Sequence, residues 1–293
     1  MMRKLSAFVG LALSMVVAGS VHAQDGSAPS DPAATGTDPA LAPPADTGMA
    51  PAGAASGVSQ SLVARGVQGA AGSITIHTLV GIQMSKELVG KPFSIAPDVF
   101  YGVNDKLQVG LIHNSPLGWQ TPPGFGLCLA GKDNGCPKVW NNVGFDALYS
   151  LMNGSTDLSA HGTLYLVPVD PLTVSLALGV AGKLHLNDQM ALFFDPSIVI
   201  GFNKRDAGNK ETLFIPVEFQ FQLQPQLALV AMTALWGDLD GFGDSYVIPL
   251  GVGAFYNVNE MIDVGGRFSF DNLIGKGHSA DFRSLSLLVN VRL

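Results

Sequence analysis

The sequence predicts an all-β fold: a transmembrane antiparallel up-and-down β-barrel of about 12 strands. Three observations predict it. From residue 72 to the end, apolar residues recur at every second position in segments of about ten residues, the length a tilted strand needs to cross a bilayer. The chain is 47% hydrophobic and only 13% charged, where a soluble domain carries about 25% charged residues. After the N-terminus, no apolar run reaches the ~18 residues that a membrane helix requires. Alternation reconciles the last two observations. Half of each strand is apolar and half is small or polar, so no window is continuously apolar. A net charge of −7 offers no basic patch to track phosphates, so no nucleic acid is expected as a partner.

Residues 1–23 read as a secretory signal peptide. Arg3 and Lys4 form its positive end, an apolar stretch follows from Leu5 to Ala18, and Val21-His22-Ala23 supplies the small residues for cleavage before Gln24. Residues 24–71 read as a linker and approach segment. Its first part, to about residue 58, is almost wholly Ala, Pro, Gly, Ser, Thr and Asp. It cannot bury enough surface to offset its chain entropy and is expected to be disordered. Residues 59–71 are weakly apolar and take no assignment.

The barrel is expected over 72–293. Ile74, Ile76, Thr78, Val80 and Ile82 open the series, and Phe93, Ile95, Val99 and Tyr101 follow. Val143, Phe145, Ala147 and Tyr149 repeat it, as do Leu213, Ile215, Val217, Phe219, Phe221 and Leu223. The final ten residues are the clearest case, with Leu285, Leu287, Val289, Val291 and Leu293 on one face. Short turns are expected at Asn104-Asp105, Asn187-Asp188, Gln224-Pro225-Gln226 and Asn257-Val258-Asn259, with longer loops near 114–142, 203–210, 237–245 and 271–281. The order of short and long connections is least clear at 152–171, where two short reversals follow one another. Pro97, Pro196, Pro216 and Pro249 fall inside expected strands and each predicts a bulge or a boundary, because Pro removes a ladder hydrogen bond. A soluble β-sandwich would also alternate, but its outer faces would carry many charges. Here the second face is mostly Gly, Ala, Ser, Thr and Gln.

The signal peptide, the repeated alternating strands and the closing SLSLLVNVRL resemble bacterial outer-membrane β-barrel proteins of the porin-like class, over about 72–293. The resemblance implies residence in the outer membrane, contact with its lipid, and insertion by the barrel-assembly machinery. With an even strand count, both termini would be periplasmic. It leaves the activity and the oligomeric state open.

If the apolar set faces lipid, the opposite set lines the lumen: Asp98, Gln108, Asp146, His161, Lys183, Asp195, Glu218, Gln220, Gln222, Asp263, Arg267, Asn290 and Arg292. In a pore, such residues set ion preference through the local field. They could equally pair across the interior and fill it, since small barrels have narrow interiors. Ala177, Gly179 and Ala181, with Ala228, Val230, Met232 and Ala234, make part of that face small or apolar. A narrow passive channel is the leading functional reading, and a closed structural or surface-interaction barrel is the alternative.

Other chemistry is sparse. Cys128 and Cys136 in CLAGKDNGC are expected to form a disulfide in an oxidising compartment. His113-Asn114-Ser115 at a strand end places an imidazole and a hydroxyl on one face, where the first can activate the second. The motif is similar to the His-x-Ser of outer-membrane phospholipase and lipid A deacylase. That resemblance implies a lipid hydrolase as a third reading, against a His near the membrane interface beside a loop Ser. Asp238, Asp240 and Asp244 could ligate Ca²⁺, but their spacing matches no EF-hand loop and a solvated loop is expected. No metal or cofactor is predicted. The aromatics Phe100, Tyr101, Trp140, Tyr149, Trp236, Phe242, Tyr246, Tyr256 and Phe282 cluster near strand ends and read as interfacial girdles.

Overall fold

The alternating segments form β1 (Ile74–Gln83), β2 (Phe93–Gly102), β3 (Leu107–Ile112), β4 (Leu127–Ala130), β5 (Val143–Met152), β6 (Thr156–Val169) and β7 (Leu172–Asn187). They continue as β8 (Met190–Phe194), β9 (Ser197–Gly201), β10 (Thr212–Gln224), β11 (Leu227–Asp238), β12 (Val247–Asn259), β13 (Ile262–Gly275) and β14 (Arg283–Arg292). The structure is a computed structural model that describes residues 59–114, 123–136, 138–275 and 277–293. The readings made for residues 1–58 and for Ser115 lie outside the described residues.

All pairings are antiparallel, and β1 pairs with both β2 and β14, which closes the sheet on itself. β8 and β9 are two halves of one wall strand, since both pair with β7 and with β10. β4 belongs to the long loop. The wall is therefore a closed barrel of 12 strands, as the alternation predicts. Closure leaves no unpaired edge, the condition for a sheet to cross lipid.

Burial along each strand runs opposite to that of a soluble protein. In β5 the polar Asp146 and Ser150 are buried, while Phe145, Tyr149 and Leu151 are exposed. The same parity exposes Val99, Val109, Leu164, Leu178, Ile198, Phe219, Leu229, Val252, Val264 and Leu287 on the outside. A belt of this extent needs a nonpolar solvent, which excludes the soluble sandwich. Tyr101, Tyr149 and Tyr256 stand outward near one end of their strands. Two expected girdle aromatics turn inward instead, because strand parity decides their side. Phe100 packs its ring 5.1 Å from that of His77, and Trp236 pairs with the buried Phe214.

The short connections 103–106, 153–155, 188–189, 225–226 and 260–261 share one end of the barrel with the start of β1 and the end of β14. The opposite end carries the longer connections. The ambiguity at 152–171 resolves through strand length. β6 and β7 have 14 and 16 residues, so the Asp170-Pro171 reversal lies at the loop end. There the long loop extends the wall. β4 pairs with the outer end of β2, as in Ser94 with Cys128, where β3 has already stopped. The Cys128–Cys136 disulfide closes this small hairpin, and Lys138 ties it to Asp170 at 2.8 Å.

The four prolines expected to interrupt strands sit where no ladder bond is lost. The Pro97 carbonyl faces the gap between β3 and β4, where His113 Nδ1 lies 2.6 Å away. The missing N–H of Pro97 faces the same gap, because both groups of a strand residue point to one side. Pro196 interrupts β8 and β9, and Pro216 lies opposite that break, where its carbonyl accepts from the Asp195 N–H at 3.3 Å. Pro249 lies in a register shift of β12.

Glycines inside the barrel make room for rings on the neighbouring strand. Phe255 lies across from Gly265, where a Cβ would stand 2.7 Å from the ring. Phe100 covers Gly110 in the same way. Replacing Gly265 by Val should therefore destabilise the barrel by about 1–3 kcal/mol through overpacking. Urea unfolding of the liposome-folded protein measures this, and an unchanged midpoint would show that the ring can move aside.

Candidate functional site: the barrel lumen

Strand parity turns Asp98, Gln108, Asp146, His161, Lys183 and Asp195 into the interior, together with Glu218, Gln220, Gln222, Asp263, Arg267, Asn290 and Arg292. They are enclosed: relative exposure is 3% for Lys183, 5% for Glu218 and 2% for Asp263. A wide aqueous pore would leave such side chains wet, so the lumen is narrow at their level.

The turn-side half of the lumen holds the cations. Asp263, the second residue of β13, is the focus. It accepts from Arg292 of β14 through both guanidinium nitrogens and from Asn257 Nδ2 at 2.8 Å. A second guanidinium, that of Arg65, reaches it from a segment that is not part of the wall: Nη1 to Oδ2 at 2.6 Å and Nη2 to Oδ1 at 2.9 Å. Arg267 lies 3.8 Å from Glu218 and 5.1 Å from the centre of the Phe255 ring. Lys183 Nζ donates to the Leu62 carbonyl at 2.6 Å.

Arg65 and Leu62 belong to residues 59–71, the stretch that sequence left unassigned. The segment lies inside the barrel at its turn end. Gln222 Oε1 accepts from Ser61 Oγ at 3.1 Å and from the Val63 N–H at 3.3 Å. Gln108 Oε1 accepts from the Gly69 N–H at 2.7 Å. Val63 is only 1% exposed, and Leu62 packs against Val230, Met232 and Phe255. The small, apolar part of the inner face thus has an occupant.

Nearer the loop end the lumen is acidic. His161 bridges two carboxylates, with Nε2 2.8 Å from Asp146 and Nδ1 2.9 Å from Asp195. Thr163 Oγ1 donates to Asp146. Asp98 accepts the N–H groups of His113 at 2.6 Å and Asn114 at 3.0 Å. Asp271 accepts from Ser269 and Ser284 at 2.6 and 2.7 Å. Beside them Ile112, Tyr165, Ala177 and Val199 form an apolar cluster. The cations are thus concentrated in the turn-side half, where they face Asp157, Glu218 and Asp263, while Asp98, Asp146, Asp195 and Asp271 lie nearer the loop end.

Sequence reasoning did not single out Arg65, Asn257, Asp271 or the Asp157–His185 pair at 3.1 Å. Asp271 was legible in principle, since it continues the polar parity of its strand; Asn257 was expected in a turn at 257–259, which the structure instead makes the end of β12. For Arg65 the available signal was a lone charge within an otherwise uncharged approach segment. The other candidates fall outside the lumen. His113 directs Nδ1 at the Pro97 carbonyl, and its expected partner Ser115 lies outside the described residues. Asp240 pairs with Lys210 at 2.7 Å, which holds the Asp240 carboxyl below its ordinary range. Asp238 accepts from Thr212. Among the described residues no group of three or more His, Cys, Asp or Glu side chains could hold a metal ion.

No family profile matches the sequence, and no curated protein matches it. Solved structures do match the fold. The NanC porin aligns with a TM-score of 0.52 at 7% identity, covering 74% of this chain and 98% of that one. The KdgM porin, solved in complex with disordered oligogalacturonate, gives 0.50 at 7% identity over the same shares. An outer-membrane channel of Pseudomonas putida F1 gives 0.50 at 11% identity, covering 78% and 97%. The fold is that of the bacterial outer-membrane β-barrels of the porin class. With that fold, this chain is a 12-stranded barrel that carries its own segment, residues 59–71, in the turn-side lumen.

Removing the shared carboxylate should be costly. Asp263→Ala leaves Arg292 enclosed without its partner, and breaking a buried pair from one side costs about 3–5 kcal/mol. A drop of that size in unfolding free energy is expected in urea titration of the folded barrel. A loss below about 1 kcal/mol, the range of exposed pairs, would show that water solvates this cluster.

Proposed function

We propose that this protein is a narrow passive channel of the bacterial outer membrane, inserted by the barrel-assembly machinery, with both termini on the periplasmic side. Solutes cross by diffusion along the polar inner face. The observation that carries this reading is a set of enclosed acceptor oxygens that receive no hydrogen bond among the described residues: Glu218 Oε2, which has only the Arg267 guanidinium at 3.8 Å, and Gln220 Oε1, Asn257 Oδ1 and Asn290 Oδ1. Enclosed polar atoms need a partner, and water or a passing solute in the lumen would supply it. A barrel filled solely by its own side chains would satisfy them internally. The orientation is supported by the distribution of connections, because short turns in barrels of this class lie on the periplasmic side and both ends of the wall sheet emerge among them.

Planar bilayers containing the purified protein should show discrete conductance steps smaller than those of wide general porins. Their absence over a broad range of salts and voltages would overturn the channel reading. In a salt gradient, the double variant Asp146→Asn, Asp195→Asn should shift the reversal potential towards anion preference, since the acidic layer repels anions. An unchanged reversal potential would remove these carboxylates from the conduction path.

A further inference from the structure

Residues 59–71 are attached differently from everything else in the barrel. Wall strands are joined by continuous backbone ladders. Among the described residues, no backbone–backbone hydrogen bond joins 59–71 to the wall; the first is from Gly72 N–H to the Gly102 carbonyl, at 2.7 Å. Up to that point the segment is held through side chains: the Arg65–Asp263 ion pair, two bonds to Gln222, one each to Lys183, Gln108 and the Lys106 carbonyl, and the apolar pair Leu62 and Val63.

The charges allow this contact to open without stranding a buried ion. Two guanidiniums share the Asp263 carboxylate, and one of them, Arg292, comes from the wall. If Arg65 leaves, Asp263 keeps Arg292 and Asn257. Lys183 loses the Leu62 carbonyl, yet Asp157 and Glu218 still attract it. The Arg65 side chain is already 14% exposed, against 3% for Asp263, so it is the partner nearer to water. A pivot is present as well. Gly69 and Gly72 both precede the start of β1, and Gly72 has φ of +77°, a conformation open to glycine at no steric cost.

We propose that residues 59–71 are a tethered gate: the segment closes the turn-side mouth while Arg65 is latched to Asp263, and opens it by swinging out about Gly69–Gly72. This rests on the channel reading above. The solute path and the segment share the same narrow cross-section, so both cannot use it at once. Opening is favoured at high ionic strength, because salt weakens a pair that is partly exposed.

Single-channel recording of the full chain tests the gate. The wild-type protein should switch between two conductance levels. Arg65→Ala should raise the ratio of open to closed time about tenfold, the change that a loss of about 1.4 kcal/mol of latch energy produces. A chain lacking residues 59–68 should remain at the upper level. Conversely, Leu62→Cys with Val230→Cys, joined by a short cleavable bis-thiol linker, should hold the lower level until the linker is cut. This pair decides the matter if the shortened chain does not fold. Unchanged levels and dwell times in Arg65→Ala and in the linked pair would overturn the gate and make the segment a fixed part of the lumen. An absence of conductance in every form, including the wild type, would instead remove the channel reading beneath it.

Discussion

Lipid offers no hydrogen bonds to a polypeptide backbone, and the rest of this structure depends on that constraint. Each unpaired N–H or C=O in the hydrocarbon region costs several kcal/mol. The wall must therefore close, and the pairing of β1 with both β2 and β14 closes it. The same constraint explains where prolines are tolerated. Pro97 faces the gap that β3 vacates, and Pro216 faces the break made by Pro196. The residues that cannot donate are placed where nothing is there to accept.

Closure and a period of two together divide the chain chemically. Every strand sends one set of side chains to lipid and the other to a narrow interior. This accounts for the scarcity of charge, because the few ionisable side chains within the wall have to be enclosed. They are enclosed with company. Asp263 is held by two guanidiniums, His161 joins two carboxylates, and Glu218 lies close to Arg267. The interior remains incompletely satisfied, with acceptor oxygens left over on Glu218, Gln220, Asn257 and Asn290. These are the oxygens on which the proposed water-bearing path rests.

The N-terminal segment gives the two halves of the lumen different characters. Arg65 brings an extra cation into a turn-side layer that already holds Lys183, Arg267 and Arg292, while the loop-side layer keeps Asp98, Asp146, Asp195 and Asp271. The field along the axis is therefore asymmetric, and part of that asymmetry is carried by an element whose hydrogen bonds to the wall, among the described residues, all involve a side chain.

The sequence by itself determined the membrane barrel, the strand count and which face of each strand is apolar. These follow from a period of two, which is local and survives without knowledge of any partner. It placed an irregularity at each of four prolines: Pro196 breaks its strand and Pro249 lies in a register shift, whereas Pro97 and Pro216 lie within unbroken β2 and β10 and face gaps in the neighbouring strand. What it could not determine was which side chains meet. Asp263 and Arg65 are 198 positions apart, and their meeting depends on the register of the closed wall. Phe100 and Trp236 stand near strand ends, yet tertiary register turns them inward, because one step along a strand exchanges its faces. Residues 59–71 carry no periodicity, so sequence left them blank. Only the enclosed lumen, with acceptors and a carboxylate at matching positions, gives that segment a place.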